Sequence, residues 1–228
     1  MPIEFNMIAV ILLPLVVALV ISFLSTPIVK SFAYKLGAID VPKDERRMHK
    51  VPIPRMGGLA IFLGFIISVL LFVEVDDQMK GILLGSVIIV VMGIIDDITP
   101  LRASLKFVIQ ILAALIPVYY GVQITCISNP NLFSDNPYWN FGWLSIPITV
   151  IWIVGLTNAV NLIDGLDGLA IGVSSISALT MLAIAILVAE PQVAVIMAAL
   201  VGACIGFMPY NMNPAKIFMG DTGSTFLG

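Results

Sequence analysis

The feature that most limits how this chain can fold is the recurrence of uncharged apolar runs long enough to cross a bilayer. A helix of about twenty such residues spans the roughly 30 Å of hydrocarbon in a membrane. Stretches near residues 7–28, 56–73, 81–95, 107–125, 144–160, 169–189 and 193–210 fit that description. The third is the shortest of these, and needs a thinned bilayer or neighbouring helices to cover its ends. Period-two alternation is absent, so helices are the remaining way to satisfy the backbone in lipid. Composition agrees: 11% of residues are charged against about a quarter in soluble domains, and mean hydropathy is +1.09. The expected fold is all-α, a polytopic membrane helix bundle in one domain over residues 1–228, with seven complete transmembrane helices and the start of an eighth.

The first run leads into a long charged loop rather than a small-residue cleavage site, so it reads as a retained span. Seven of the eleven Lys and Arg (Lys30, Lys35, Lys43, Arg46, Arg47, Lys50 and Arg55) lie in and around that loop. Arg102, Lys106 and Lys216 follow the third and seventh spans, and only Lys80 falls on the other side. This positive-inside bias places the first loop in the cytoplasm and the N-terminus outside. The acids assigned to the outer side (Glu4, Glu74, Asp76, Asp77, Asp135 and Glu190) read as solvated. Cys126 and Cys204 stand too far apart to suggest a metal pair or a disulfide framework.

The remaining acids gather at the opposite face. Asp96 and Asp97 close the third span, Asn158, Asn161, Asp164 and Asp167 close the fifth, and Asp221 follows the seventh in "IFMGDTGST". All are odd-numbered spans, so all of these motifs emerge at the cytoplasmic surface. A charged side chain at mid-bilayer depth costs about 2.5–3.5 kcal/mol on insertion scales, and a chain this sparing of charge has a use for five carboxylates at one surface. An ion-coupled transporter would instead carry them at mid-span, on repeated glycine-broken helices.

Within "NAVNLIDGLDG" the polar residues recur every third position, so the set drifts by about 60° per step around a straight helix. Gly165 and Gly168 supply places where the backbone bends, and the "GLAIG" that follows restarts a helix whose N-terminus favours anions. "GDTGST" is a second glycine-flanked turn with a carboxylate and hydroxyls, and lacks the Gly-x4-Gly-Lys spacing of a P-loop. Like charges a few ångströms apart repel by roughly 4 kcal/mol at an effective dielectric near 20, so the cluster calls for a cation. Carboxylate, amide and hydroxyl oxygens suit Mg²⁺ or Mn²⁺; a lone His49 cannot build a zinc site. The loop "KDERRMHKVPIPRMGG", with Arg102 and Lys106, offers counter-charge for phosphates, although Lys43, Arg46 and Arg47 read as topology signals or anionic-lipid contacts.

"GAIDVPKDERRMHKVPIPRMGGLAIF", "GIIDDITPLRASLKFVIQ", "NAVNLIDGLDGLAIG" and "FMGDTGSTFLG" together resemble, in that order, the polyprenyl-phosphate N-acetylhexosamine-1-phosphate transferases. Within them the "RRMHKVPIPRMGG" and "NLIDGLDG" wording is similar to the undecaprenyl-phosphate N-acetylglucosamine-1-phosphate branch more than to the phospho-muramoyl-pentapeptide branch. The resemblance implies Mg²⁺-dependent transfer of N-acetylglucosamine 1-phosphate from UDP-GlcNAc to undecaprenyl phosphate, releasing UMP. That is the first membrane step of a teichoic acid or O-antigen type polysaccharide, at the cytoplasmic face of the bacterial plasma membrane. It implies UDP-GlcNAc, undecaprenyl phosphate and the bilayer as partners, no nucleic acid, and allows a homodimer.

Carried over residue by residue, Asp96, Asp97, Asp164 and Asp167 fall at catalytic positions. Lys50, Arg55, Lys106, Asn158, Asn161 and His49 fall at substrate-binding positions, and Asp221, Asn161 and Asp164 at metal-binding ones. Members of the family continue beyond the point where Gly228 ends this chain, so the resemblance implies a C-terminally truncated chain, which would have little or no catalysis of its own if it were complete in the cell. A phosphate monoester has its second pKa near 6, so the lipid nucleophile is largely a dianion at neutral pH and hardly needs a strong base. The barrier lies in joining two anions in line and stabilising charge on the departing UMP.

Overall fold

The structure, a computed structural model, describes residues 3–42, 51–131 and 136–228, with side chains from Ala9 onward. His49 and Lys50 lie outside the described residues, as do Lys43, Arg46, Arg47 and Asp135. Eight α-helices are present among the described residues: α1 (Ile3–Leu36), α2 (Gly58–Phe72), α3 (Asp77–Ile98), α4 (Ala103–Tyr119), α5 (Ser145–Ile163), α6 (Leu169–Leu187), α7 (Pro191–Asn211) and α8 (Gly220–Leu227). Two short antiparallel ladders sit in the loops, β1 (Ile39–Asp40) with β2 (Ile53–Pro54) and β3 (Cys126–Ser128) with β4 (Tyr138–Asn140). The protein is a polytopic helical membrane protein.

Five helical segments, in α1, α3, α5, α6 and α7, are long and apolar enough to cross a membrane; α2 and α4, with 15 and 17 residues, are apolar but shorter. This corrects the expectation that the third span is the short one. α3 runs for 22 residues because Asp76, read as a loop acid, caps it by accepting from the Met79 amide at 2.7 Å. The polar first turn Asp77–Lys80 is thereby helical. α4 begins earlier than hydropathy suggests, taking in Lys106, and ends at Tyr119 ahead of Gly121, whose φ is +92°.

Small residues set the helix spacing, as expected where lipid removes the hydrophobic drive between helices. α1 packs against α7 where Gly202 and Gly206 meet the backbone of Leu15 and Leu19 so closely that neither glycine has room for a Cβ. The Ser22 hydroxyl donates to the Ala203 carbonyl of α7 at 2.7 Å, and Ser68 of α2 donates to the Pro14 carbonyl of α1 at 2.8 Å.

The short α8 is wedged between α2, α3 and α5. Gly58 of α2 faces Gly223, a methyl on Gly93 of α3 would lie 2.5 Å from Thr222 Cα, and the Phe226 ring packs on Phe62 and Phe65. The strand-like strap entering α8 is stitched to the one entering α2: Phe218 N–H donates to the Pro54 carbonyl, and the Gly57 and Gly58 amides donate to the Phe218 and Met219 carbonyls, all at 2.8–2.9 Å. Since successive helices alternate in direction, the C-terminal ends of α3, α5 and α7 and the N-terminal ends of α2, α4, α6 and α8 share one end of the bundle.

Candidate active site

At that end a cavity of about 780 Å³ is lined by Asp97, Asn161, Asp164, Gly165, Leu166, Asp167, Gly220 and Asp221. Arg55 and Asp40 reach it from the first loop, Asn211 and Phe218 from the segment around α7 and α8. Three carboxylates from segments far apart in sequence, Asp97, Asp164 and Asp221, therefore meet at one hollow.

Asp97 is 2% exposed, and among the described residues its carboxylate accepts its hydrogen bonds from the start of α8: the Asp221 amide (3.0 Å), the Thr222 amide (3.1 Å) and the Thr222 hydroxyl (2.6 Å). It satisfies amides that the first turn of a helix leaves without partners. Gly220, at φ +72°, brings that turn close enough that a Cβ would sit 2.5 Å from Asp97 Oδ2.

Asp96, also buried, points elsewhere. Its carboxylate accepts from the Leu101 amide (2.8 Å) and from Lys106 Nζ (3.2 Å), and the same ammonium donates to Asp221 Oδ2 at 2.6 Å. Lys106 thus ties α3, α4 and α8 together behind the cavity rather than lining it. Arg55 closes the end of α3 by donating from Nε to the Asp97 carbonyl (3.3 Å) and from Nη2 to the Asp96 carbonyl (3.5 Å), where a cation also meets the negative end of the helix dipole.

The four polar residues at the end of α5 diverge. Asn158 donates to Gln110 Oε1 of α4 (2.7 Å) and to the Val154 carbonyl, and does not line the cavity. Asn161 donates to Ser224 Oγ of α8 at 2.8 Å. Asp164 follows the helix, its side chain turned to the cavity with no hydrogen-bond donor among the described residues. Asp167 Oδ2 accepts from the Ala215 amide (3.0 Å) and Asn213 Nδ2 (3.1 Å), fixing the strap between α7 and α8. The bend needs Gly168, in the left-handed region at φ +74°, whose amide donates to Asn211 Oδ1 at 3.3 Å.

Burial, then the negative charges of Asp97 and Asp221, push the Asp164 carboxyl up to about 8. No Lys or Arg among the described residues forms an ion pair with it. No group of three Asp, Glu, His or Cys side chains among the described residues is close enough to form a complete protein cage. Asp164 and Asp221, with the Asn161 amide, offer an all-oxygen partial set instead. That suits Mg²⁺, which keeps waters and substrate phosphates around one or two carboxylates.

The sequence singled out neither Asn211 nor Gln110, although a lone amide in the last turn of one span and in the middle of another was a visible signal. Thr222 and Ser224 lay in a quoted motif, but which carboxylate and amide they would meet depends on the seat of α8.

Residues 79–228 match the family described as glycosyl transferase family 4. The chain is 44% identical over 219 residues to a probable undecaprenyl-phosphate N-acetylglucosaminyl 1-phosphate transferase of Bacillus subtilis, covering 94% of this chain and 60% of the relative. It is 37% identical to a decaprenyl-phosphate N-acetylglucosaminephosphotransferase of Mycobacterium tuberculosis, over 92% of this chain and 56% of the relative. It is also 37% identical to a phospho-N-acetylmuramoyl-pentapeptide-transferase of Caldicellulosiruptor bescii, over 93% of this chain and 71% of the relative. The chain spans about 60% of the length of the first of these.

Proposed function

This chain belongs to glycosyl transferase family 4, and from that premise we propose that it carries the active-site half of a phosphoglycosyl transferase. It moves N-acetylglucosamine 1-phosphate from UDP-GlcNAc to undecaprenyl phosphate, at the cytoplasmic face of a bacterial plasma membrane. The observation that carries this reading is the convergence of Asp97, Asp164 and Asp221 on one cavity beside Arg55. The printed activities of the Bacillus and Mycobacterium relatives support the sugar and the polyprenyl acceptor, and the cationic bias of the first loop supports the side.

An oxygen of the lipid phosphate attacks the sugar-bearing phosphorus of UDP-GlcNAc. The bond from that phosphorus to the bridging oxygen breaks, its electron pair leaves with UMP, and the lipid diphosphate sugar remains. Such phosphoryl transfers depend on alignment and charge compensation more than on covalent help. Arg55 uses two of its five N–H groups on the end of α3, leaving three to grip phosphate oxygens in the cavity. Asp97 and Lys106 hold Asp221 in place from behind, and the Asp167 clamp sets the far wall. Asp221, Asp164 and Asn161 would hold Mg²⁺, which when bound neutralises diphosphate charge. In this reading Asp96 acts at one remove, its carboxylate facing Lys106 and the Leu101 amide.

The test is to supply purified protein, at the full length of its relatives, with undecaprenyl phosphate and sugar-labelled UDP-GlcNAc, with Mg²⁺ or with a chelator, and in parallel with labelled UDP-N-acetylmuramoyl-pentapeptide. Label entering the lipid phase with UMP release, from UDP-GlcNAc and only with Mg²⁺, is the expected result. Transfer from the muramoyl donor instead would overturn the sugar assignment, and no transfer from either donor would overturn the reading.

A further inference from the structure

The end of the bundle opposite the cavity carries a small ribbon that the transfer chemistry does not use. β3 and β4 pair antiparallel with Ile127 opposite Trp139, flanked by Cys126 opposite Asn140 and Ser128 opposite Tyr138. Residues directly opposite one another share a face, and neighbours along a strand alternate. One face of the ribbon is therefore Ile127 and Trp139, and the other carries the more polar pairs. The apolar pair is not turned into the protein: Ile127 is 44% exposed and Trp139 52%. A two-stranded ribbon is at best marginally stable in water without a surface to pack against.

The surrounding chain says what that surface is. Apart from Asp135, no residue between Lys106 and Asp164 is charged. Trp143, in the turn just after the ribbon, is 80% exposed, and Tyr119 at the end of α4 is 86% exposed. From there the exposed apolar surface continues along α5 through Ile146, Ile151 and Trp152, the surface that faces lipid in a spanning helix. Amphipathic Trp and Tyr rings settle at the boundary between headgroups and acyl chains.

The segment entering the ribbon is also tied to α5: the Ile124 amide donates to Thr149 Oγ1 (2.9 Å) and Ser145 Oγ donates to the Ile124 carbonyl (2.6 Å). The Phe141 amide, donating to the Thr125 carbonyl (2.9 Å), extends the pairing of the ribbon itself towards that segment.

We propose that the β3–β4 ribbon is a membrane-interface anchor whose Ile127 and Trp139 face rests, with Trp143, in the lipid headgroup boundary on the side opposite the cavity. Because Ser145 and Thr149 hold it to the first two turns of α5, the ribbon fixes the depth of that helix. Asp164 follows the other end of the same helix, 19 residues long. This is independent of which sugar the protein transfers.

The three tryptophans, Trp139, Trp143 and Trp152, make the test direct. Versions retaining a single Trp, the others replaced by Phe, are reconstituted in phosphatidylcholine brominated either near the glycerol end or near the methyl end of the chains. Trp139 alone is expected to lose more emission to the shallow bromines, to emit at shorter wavelength than free indole in water, and to be poorly quenched by aqueous iodide. Trp152 alone, further along α5, is expected to lose more to the deep bromines and serves as the internal depth reference. Strong iodide quenching of Trp139 with no bromine quenching would overturn the proposal. So would a Trp139 shielded from both, since that places it against protein. A monodisperse peak on size-exclusion chromatography for each single-Trp version separates these outcomes from misfolding.

Discussion

The carboxylate of Asp97 and the backbone and side chain of Thr222 form one unit, joined by hydrogen bonds from the amide at 3.1 Å and the hydroxyl at 2.6 Å, both to the same oxygen. Residues 125 positions apart thereby seat α8 on α3, and with it Asp221. Thr222→Val keeps the shape and removes one donor to a buried charge. The expected loss of stability is roughly 1.5–3 kcal/mol, read from unfolding midpoints in detergent against Thr225→Val. Thr225 donates only to a carbonyl of its own helix, and its variant is expected to lose less.

Lys106 and Lys80 separate a structural ion pair from a decorative one. The Lys80 pair with Asp77 is well exposed on both sides, so Lys80→Met is expected to change stability by less than about 1 kcal/mol. Lys106 is about one-quarter exposed between two carboxylates, and Lys106→Met leaves Asp96 and Asp221 facing each other without it. We expect a loss larger than for Lys80→Met, partly restored by adding Asp96→Asn. Equal effects for the two methionine variants would show that Lys106 does not tie the helices together.

How far the sequence revealed these arrangements depends on the range of the interaction. Hydropathy locates α1, α5, α6 and α7 because each is decided by its own composition, and it locates the acids at one end because alternation of spans does so. It truncates α3, since the capping of Met79 by Asp76 makes a charged turn helical. It also misjudges where α2 starts, because Met56 and Gly57 are held out of the helix by pairing with Phe218, some 160 residues away. The motif from Asn158 to Asp167 reads as a single polar stripe, yet its members serve α4, α8, the cavity and the strap in turn. That division depends on where α8 sits, which no local pattern encodes.

Asp164 gives the protein a pH-dependent weakness when no cation is bound. Its folded-state carboxyl is raised to about 8, by burial and then by Asp97 and Asp221, while the unfolded chain ionises near 4. Between those values the folded state holds the extra proton, so stability falls as pH rises from about 4 to about 8 and levels off above. Asp164→Asn is expected to flatten that slope and to be more stable than the parent at about pH 8 in chelator. Mg²⁺ is expected to stabilise the parent but not the variant. Unfolding midpoints across this range, with and without Mg²⁺, check both signs.

Glycines divide by what stands over them. Gly202 has the Leu15 backbone against it, whereas Gly172 has nothing within 4 Å. Gly202→Ala is expected to cost about 1–3 kcal/mol by forcing α1 from α7. Gly172→Ala, in the interior of α6, is expected to gain up to about 1 kcal/mol from helix propensity. Thermal aggregation temperatures in detergent rank the two.

The chemistry separates Asp96 from Asp221 in a way that pH can expose. Asp221 lines the cavity and is proposed to hold the cation, so Asp221→Ala removes charge compensation from the reaction at every pH. Asp96 acts at one remove, through Lys106, and an acceptor phosphate with its second pKa near 6 needs no base once it is a dianion. Any help Asp96 gave in deprotonating the acceptor would fade as pH rises, whereas its hold on Lys106 would not. Turnover of Asp96→Ala relative to the parent is therefore expected to be higher than that of Asp221→Ala at about pH 9, with Asp96→Asn, which still accepts a hydrogen bond, recovering part of the loss. An Asp96→Ala variant that remained the more damaged of the two at alkaline pH would mean that Asp96 handles the reacting phosphate itself.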